Sequence, residues 1–469
     1  MSNKGTIRYA KLIVVCLFVV MLTIPMRFVL RNIVYERMGI CEPWMEFFMG
    51  GDTEFSSALE DENREQTVSI DWEKQYPFLG TSRGSMEELP DTRSNMFRSG
   101  LERYASVIHS VEEKIKYYCE EGLIFYNGAV ELASKLERAV GMEVLAKGDI
   151  LQMKNGYLTY TESECTNEEI QEIADEVQDF DVFLRNMGIP FFYANAGSKV
   201  CPYDRQLPYG TEEYTNENGT ALMDALSERG VDTMDFREEM QSDGMDWYDS
   251  YYKTDHHWKT ETGLWAAGKL AEKLNEEAGT NFDLSMFQKQ NYRFDTFEKC
   301  FLGGQGRSVT LVNAKLEDYT RILPAFETNF SLQIPTRSVD LVGGYDRVLF
   351  DEELLERILS YSDDDHMNQP GAYDCARARN DALVHIRNLN APDNSEKKIL
   401  MLQDSFSWYS TSFLACDIGA VDTIHPGVFT GSVRNYIEQT RPDAVVLMYC
   451  ERNIKPIDWT THESMFDMR

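Results

Sequence analysis

The chain has 469 residues, 43% of them apolar and 12% aromatic, and a formal charge of −32. That apolar content rules out a chain disordered throughout. The length exceeds the ~250–300 residues over which a single core keeps growing, so one large domain with an appendage is expected. The acidity excludes nucleic acid and polyanionic surfaces as partners, since no basic run interrupts it, and suits a neutral or amine-bearing substrate.

Lys4, Arg8 and Lys11 precede the apolar run Leu12–Met26, which only Thr23 and Pro25 interrupt. No small-x-small cleavage site follows, because Met26, Phe28, Val29 and Leu30 are bulky. Extended to Val34, with Arg27 and Arg31 snorkelling, the segment approaches the ~20 residues that cross a bilayer. The expected organisation is a cytoplasmic stub over residues 1–11, a single-pass anchor over 12–34 and an acidic, Ser- and Gly-rich tether over 35–95. The body then lies outside the cytoplasm, held at the cell membrane. Residues 96–141 read as a helical segment: Phe97, Leu101, Tyr104, Ile108, Val111, Ile115 and Tyr118 recur at three- and four-residue steps. The nine cysteines include no C-x-x-C pair, and most read as small buried apolar residues.

From residue 142 to 469 strands and helices alternate. Asn155-Gly156 marks a hairpin between Ile150–Met153 and Tyr157–Tyr160. Thr166 caps a helix through Ile170, Ile173, Val177 and Phe183 that ends near Gly188. Residues 189–194 form an unbroken apolar run, as a strand buried on both faces requires. A helix over Ala221–Glu228, a strand over Val231–Phe236, buried strands over Lys398–Leu402 and Ala444–Met448, and a helix around Val433–Thr440 complete the pattern. It predicts a three-layer α/β fold with a mainly parallel sheet.

Two stretches carry chemistry. Tyr251-Tyr252-Lys253-Thr254-Asp255-His256-His257-Trp258 puts a carboxylate two residues before an imidazole, ahead of a helix that Thr260 is expected to cap. Gln403-Asp404-Ser405-Phe406 offers a hydroxyl where a buried strand ends. Serine needs a base within hydrogen-bond reach and the base needs an orienting carboxylate, which assigns Ser405 as nucleophile, His257 as base and Asp255 as its partner. His256 competes with His257, and in an extended segment the two point to opposite faces, so only one would serve Ser405. A metal site built from Asp255, His256, His257 and Glu261 lacks a further strong ligand, so neither metal nor cofactor is expected.

These motifs resemble the DHHW proteins, which are similar to the alginate O-acetyltransferases of the SGNH-hydrolase-like group. The resemblance rests on the Asp-His-His-Trp run, the Thr-x-x-Gly helix after it and the order Asp-x-His before Ser. Three stretches accompany it: Ala196–Val200 through Leu207-Pro208, Phe301–Arg307 and Tyr449–Arg452. It implies an SGNH-like acyltransferase domain with Asp255, His257 and Ser405 as triad. It further implies extracytoplasmic O-acetylation of a polysaccharide, with acetyl delivered by a membrane-bound O-acyltransferase partner. The family commonly has Gly before Asp-Ser, where this chain has Gln403, a side chain expected to reshape the turn. Candidate oxyanion or substrate contacts are Gln305, Gly306 and Arg307 in the glycine loop, Tyr409, Asn195 and Arg452. The open alternatives are a carbohydrate acetyl esterase and a non-catalytic glycan-binding protein with a degenerate triad.

Overall fold

The computed structural model of the chain describes residues 150–454, apart from 362–365, 380 and 391–395, and a few flanking positions. The expected stub, anchor and tether lie outside the described residues, as does the helical segment except for Ser134, Lys135 and Arg138. Among the described residues no helix is long and apolar enough to cross a membrane.

The body is built on an eight-stranded sheet. Its parallel half contains β1 (Phe191–Ala196), β2 (Thr233–Asp235), β8 (Lys398–Gln403), β9 (Ala420–Ile424) and β10 (Ala444–Cys450). Its other half contains β5 (Phe330–Ile334), β6 (Val339–Gly343) and β7 (Val384–Asn388). A separate antiparallel ribbon pairs β3 (Tyr292–Phe301) with β4 (Glu317–Pro324). In the large sheet the order is β2-β1-β10-β8-β9-β7-β5-β6. The first five strands run parallel, whereas β9–β7, β7–β5 and β5–β6 pair antiparallel. The sheet is therefore mixed: the expected parallel strands are extended by an antiparallel edge. The extra strands alternate buried with more exposed positions, as in Phe330–Ile334, which is how an antiparallel strand with one covered face reads.

The parallel strands explain the layers. Ile399 and Met401 of β8, with Val446 and Met448 of β10, enter one core. Their neighbours Leu400, Leu402, Val445 and Leu447 enter the other. This period of two is what a strand covered on both faces must show. Helix α1 (Asn167–Met187) buries Ile170, Ile173, Val177, Phe180 and Leu184 on the second face, at three- and four-residue steps. Its start is a capping box: Glu169 N–H donates to Thr166 Oγ1 at 3.2 Å, and Thr166 N–H donates to the Glu169 carboxylate at 2.7 Å. Helix α2 (Thr215–Glu228) packs beside α1. The strand expected over Val231–Phe236 is shorter, because Asp235 accepts from Arg237 N–H and starts helix α3 (Phe236–Ser242). The first face is covered by α4 (Thr260–Ala278) and α6 (Trp408–Leu414), with α5 (Gly304–Asn313) inserted between the ribbon strands. Helix α7 (Val433–Thr440) lies where the sequence puts it and buries Val433 and Ile437 in the second core.

The hairpin around Gly156 forms as expected, with residues 150–152 pairing 158–159. Of the cysteines among the described residues, Cys201, Cys300, Cys375, Cys416 and Cys450 are buried, Cys165 is half-buried, and all are unbridged.

Candidate active site

Ser405 lies two residues past the end of β8, at the C-terminal end of the parallel strands, where crevices of such sheets open. Asp404 shapes the turn. One of its oxygens accepts from Phe406 N–H at 2.9 Å; the other accepts from Cys450 N–H and Asn453 Nδ2, both at 2.6 Å. The serine turn is thus fastened to the end of the adjacent strand β10. Burial raises the Asp404 carboxyl, and the donors oppose that rise.

Gln403 does not disturb the serine. Its Oε1 accepts from the Ser407 and Thr411 hydroxyls at 3.0 Å each, and its Nε2 donates to Ala378 O at 3.0 Å. The side chain is a strut between α6 and the 378–379 segment. Gln403→Ala removes the partners of the Thr411 hydroxyl and Ala378 O and should lower stability by about 1–3 kcal/mol per stranded group in urea unfolding. A melt unchanged from the parent would contradict this role.

The Asp-His-His-Trp segment bends back on itself. Tyr251 bridges Trp258, and Tyr252 N–H donates to His257 O at 3.2 Å. Trp258 is fully buried against Phe236 and Phe406, a wedge below the histidine and not a surface for sugar. Lys259, not Thr260, is the N-cap of α4; the Thr260 hydroxyl instead donates to Thr320 O at 2.8 Å. The glycine of the Thr-x-x-Gly spacing, Gly263, lies where α4 meets α6, and a Cβ there would come within 2.7 Å of Tyr409 Cβ.

These segments bring Asp255, His257 and Ser405 together across 148 residues: Ser405 Oγ lies 2.7 Å from His257 Nε2, and Asp255 Oδ1 lies 2.7 Å from His257 Nδ1. The His257 and Asp255 side chains are 7% and 8% exposed, and Ser405 is half-buried. Burial alone would raise the Asp255 carboxyl. The His257 ring, His256 and the Gly304 N–H together outweigh it and hold the group well below the usual carboxylate range. Tyr373 stacks on the His257 ring at 4.0 Å and 7°, fixing its plane, and donates its own hydroxyl to Phe406 O at 3.2 Å.

The bend also corrects the expectation for His256. It does not face away: its ring lies 3.8 Å from that of His257, although His257 alone bonds Ser405. Asp255, His256 and His257 offer ligand atoms within 4.8 Å of one another. Both His257 nitrogens and the facing Asp255 oxygen are engaged in the hydrogen-bonded chain, which suits proton transfer more than ligation.

The glycine loop reaches the site by holding Asp255. Gly304 N–H donates to Asp255 Oδ2 at 3.0 Å, and Gly303 N–H donates to Thr254 Oγ1 at 2.9 Å. A Cβ on Gly303 would lie 2.4 Å from Thr254 O, so Gly303→Ala should push the aspartate segment aside and cost about 1–3 kcal/mol, read by thermal unfolding. A variant as stable as the parent would show that the loop does not clamp this segment. Glu317, the first residue of β4, accepts from Lys253 N–H at 2.5 Å and Thr254 N–H at 2.6 Å and completes the grip.

The other expected contacts are placed differently. Gln305 is fully buried, its Oε1 accepting from Lys199 Nζ at 2.9 Å. Gly306 donates to Thr254 O at 2.8 Å and has no room for a side chain, since a Cβ would meet Leu302 and Thr254 at 2.7 Å. Arg307 donates to Leu302 O at 2.8 Å. Tyr409 is buried, its hydroxyl 2.6 Å from that of Tyr319, and it lines no open site. Asn195 lies on the sheet face opposite α6, in register with Tyr449, and donates to Asp235 Oδ1 at 3.3 Å. Arg452 pairs with Glu162 at 3.0 Å and stacks 4.3 Å over Tyr160, whose ring meets the edge of His256. Of these candidates, Arg452 keeps a place beside the histidines. Glu317, Tyr373 and Asp404 were not singled out as site residues by the sequence, which has no local motif for a support delivered from a distant element.

Fold and site together define an SGNH-hydrolase-like α/β domain with a hydrogen-bonded Asp-His-Ser chain at the C-terminal end of its parallel strands. Residues 151–300 match the family described as the SGNH hydrolase-like domain of the acetyltransferase AlgX, as the sequence resemblance implied. Among solved structures, PatB1 of Bacillus cereus, determined with a sulfonyl adduct, superposes with a TM-score of 0.54 at 17% identity, covering 68% of this chain and 98% of that one. A DHHW family protein from Eubacterium siraeum gives a TM-score of 0.49 at 13% identity, covering 66% and 92%. The O-acetyltransferase domain of Pseudomonas putida AlgJ gives 0.38 at 12% identity, covering 65% and 91%. No curated protein sequence matches the chain.

Proposed function

We propose that this chain is a serine-dependent O-acetyltransferase that moves acetyl groups to a polysaccharide outside the cytoplasm. The observation that carries the reading is the pair of 2.7 Å contacts linking Asp255, His257 and Ser405. In the first step Ser405 Oγ attacks the carbonyl of an acetyl donor while His257 Nε2 takes the hydroxyl proton. Asp255 holds the Nδ1 proton and stabilises the imidazolium. The Ser405 N–H, at the start of the helical turn, is the backbone donor that would serve the oxyanion. The donor alcohol leaves with the proton from His257, and the acetyl group stays on Ser405. A sugar hydroxyl, deprotonated by His257, then attacks the acetyl carbonyl, and Ser405 departs with that proton.

An anchor over residues 12–34 would hold this chemistry at the membrane surface, where a membrane-bound O-acyltransferase could hand over acetyl groups. The AlgX-type match supports acetyl as the group transferred. The hydrogen bonds that absorb Gln403 argue against a degenerate, merely glycan-binding site. An acetyl esterase would use the same residues and differ only in admitting water to the acyl-enzyme. The test is turnover of a chromogenic acetyl ester with and without oligosaccharide acceptors. Transferase predicts faster ester consumption and an O-acetylated sugar product. Release of acetate at a rate that no acceptor alters would make it an esterase.

A further inference from the structure

We infer that Lys199 is a positioning residue for this site, its ammonium fastening the peptide ahead of Asp255 to the loop that grips that carboxylate. The inference rests on the reading proposed above. Lys199 is 2% exposed, and its Nζ donates to Leu158 O at 2.6 Å, Gln305 Oε1 at 2.9 Å and Lys253 O at 3.3 Å. An ammonium has three protons, and these acceptors use all of them. None is a carboxylate, so the amine is buried with neutral dipoles as its direct partners, and burial pulls its pKa down to about 7. That is a costly arrangement for a residue whose only task is to fill space.

The position of the three acceptors gives the charge its task. Lys253 stands two residues before Asp255. Gln305 follows Gly304, whose N–H holds Asp255 Oδ2. Lys199 therefore ties together the two peptides that grip Asp255, and through Leu158 it anchors both to the hairpin. Gln305 depends on it: that side chain is fully buried and its Nε2 has no hydrogen-bond partner, so the Lys199 contact orients it. The charged and titratable groups facing this nest are Glu317, Asp255, Arg452 and His256, with the Tyr157 ring 5.9 Å from Nζ and Lys253 Nζ over the same ring at 5.3 Å. His257 is faced in turn by Asp255, His256, Ser405, Tyr373 and the buried Asp404. When protonated, Lys199 favours ionised Asp255 and disfavours protonation of the His256 imidazole.

The test is the pH profile of kcat/KM for a chromogenic acetyl ester in the full chain, comparing Lys199→Met, Gln305→Leu and Ser405→Ala. Lys199→Met should lower kcat/KM at least about tenfold, since small misplacements of reacting groups have effects of this size or larger. It should also move the acid limb to higher pH, because loss of the cation makes His256, whose ring lies 3.8 Å from that of His257, easier to protonate. Gln305→Leu keeps the charge but removes one tie, so it should lower kcat/KM less and leave the limb in place. A role confined to packing would change stability without moving the limb. Folded Lys199→Met with an unmoved limb and parental kcat/KM would overturn the inference. If that variant does not fold, parental kcat/KM in Gln305→Leu overturns it instead. Turnover surviving in Ser405→Ala would remove the serine reading itself, and this inference with it.

Discussion

Ser405→Ala should reduce turnover of an acetyl ester by on the order of 10⁴- to 10⁶-fold, the loss expected when a nucleophile that acts as a unit with its base is removed. The hydroxyl is half-buried and accounts for a single contact of 2.7 Å to His257. The turn that presents it is held by Asp404, through Phe406 N–H, Cys450 N–H and Asn453. The fold should therefore survive the substitution, with a thermal midpoint close to that of the parent. A sulfonyl fluoride, which sulfonylates activated serines, should modify the parent at Ser405 and leave the variant unmodified. Parental turnover in a correctly folded Ser405→Ala would eliminate the proposed mechanism.

The second large effect is expected at Asp255. Asp255→Asn keeps the shape of the side chain but places an amide where a carboxylate accepts from His257 Nδ1, which favours the wrong ring tautomer. The expected loss in kcat is about 10⁴-fold, with far less change in KM. The carboxylate also accepts from Gly304 N–H at 3.0 Å, and an asparagine oxygen can take over only one of these roles. Steady-state kinetics of the variant decides the matter. A loss below about tenfold would mean that Asp255 orients the loop without supporting the base.

The pieces of the site that lie on short, locally ordered segments were legible in the sequence. Buried runs such as Lys398–Leu402 and Ala444–Met448 declare themselves as strands, and Ser405 stands at the end of one. The order Asp255-x-His257 needs only a bend to bring both side chains to one place. The antiparallel strands were harder to read. Phe330–Ile334 carries its alternation over only five residues, and β7 is equally short. The contacts around the triad were illegible for a different reason. Gly303 and Gly304 suggest a backbone approaching something closely, but their partner, Asp255, lies almost fifty residues earlier. Tyr373 and Glu317 act from elements that have no sequence relation to the histidine. Gln403 looked like a disturbance because the hydroxyls of Ser407 and Thr411 that absorb it belong to the following helix.

The central place of β10 bears on how the molecule is made. The strand follows both β1 and β8 along the chain, yet it sits between them in the sheet. Until it docks, Asp404 lacks the amide of Cys450, and the Ser405 turn loses its tie to the neighbouring strand. A chain truncated before this strand should lose the Cys450 and Asn453 donors to Asp404, and with them the proposed reactivity toward esters.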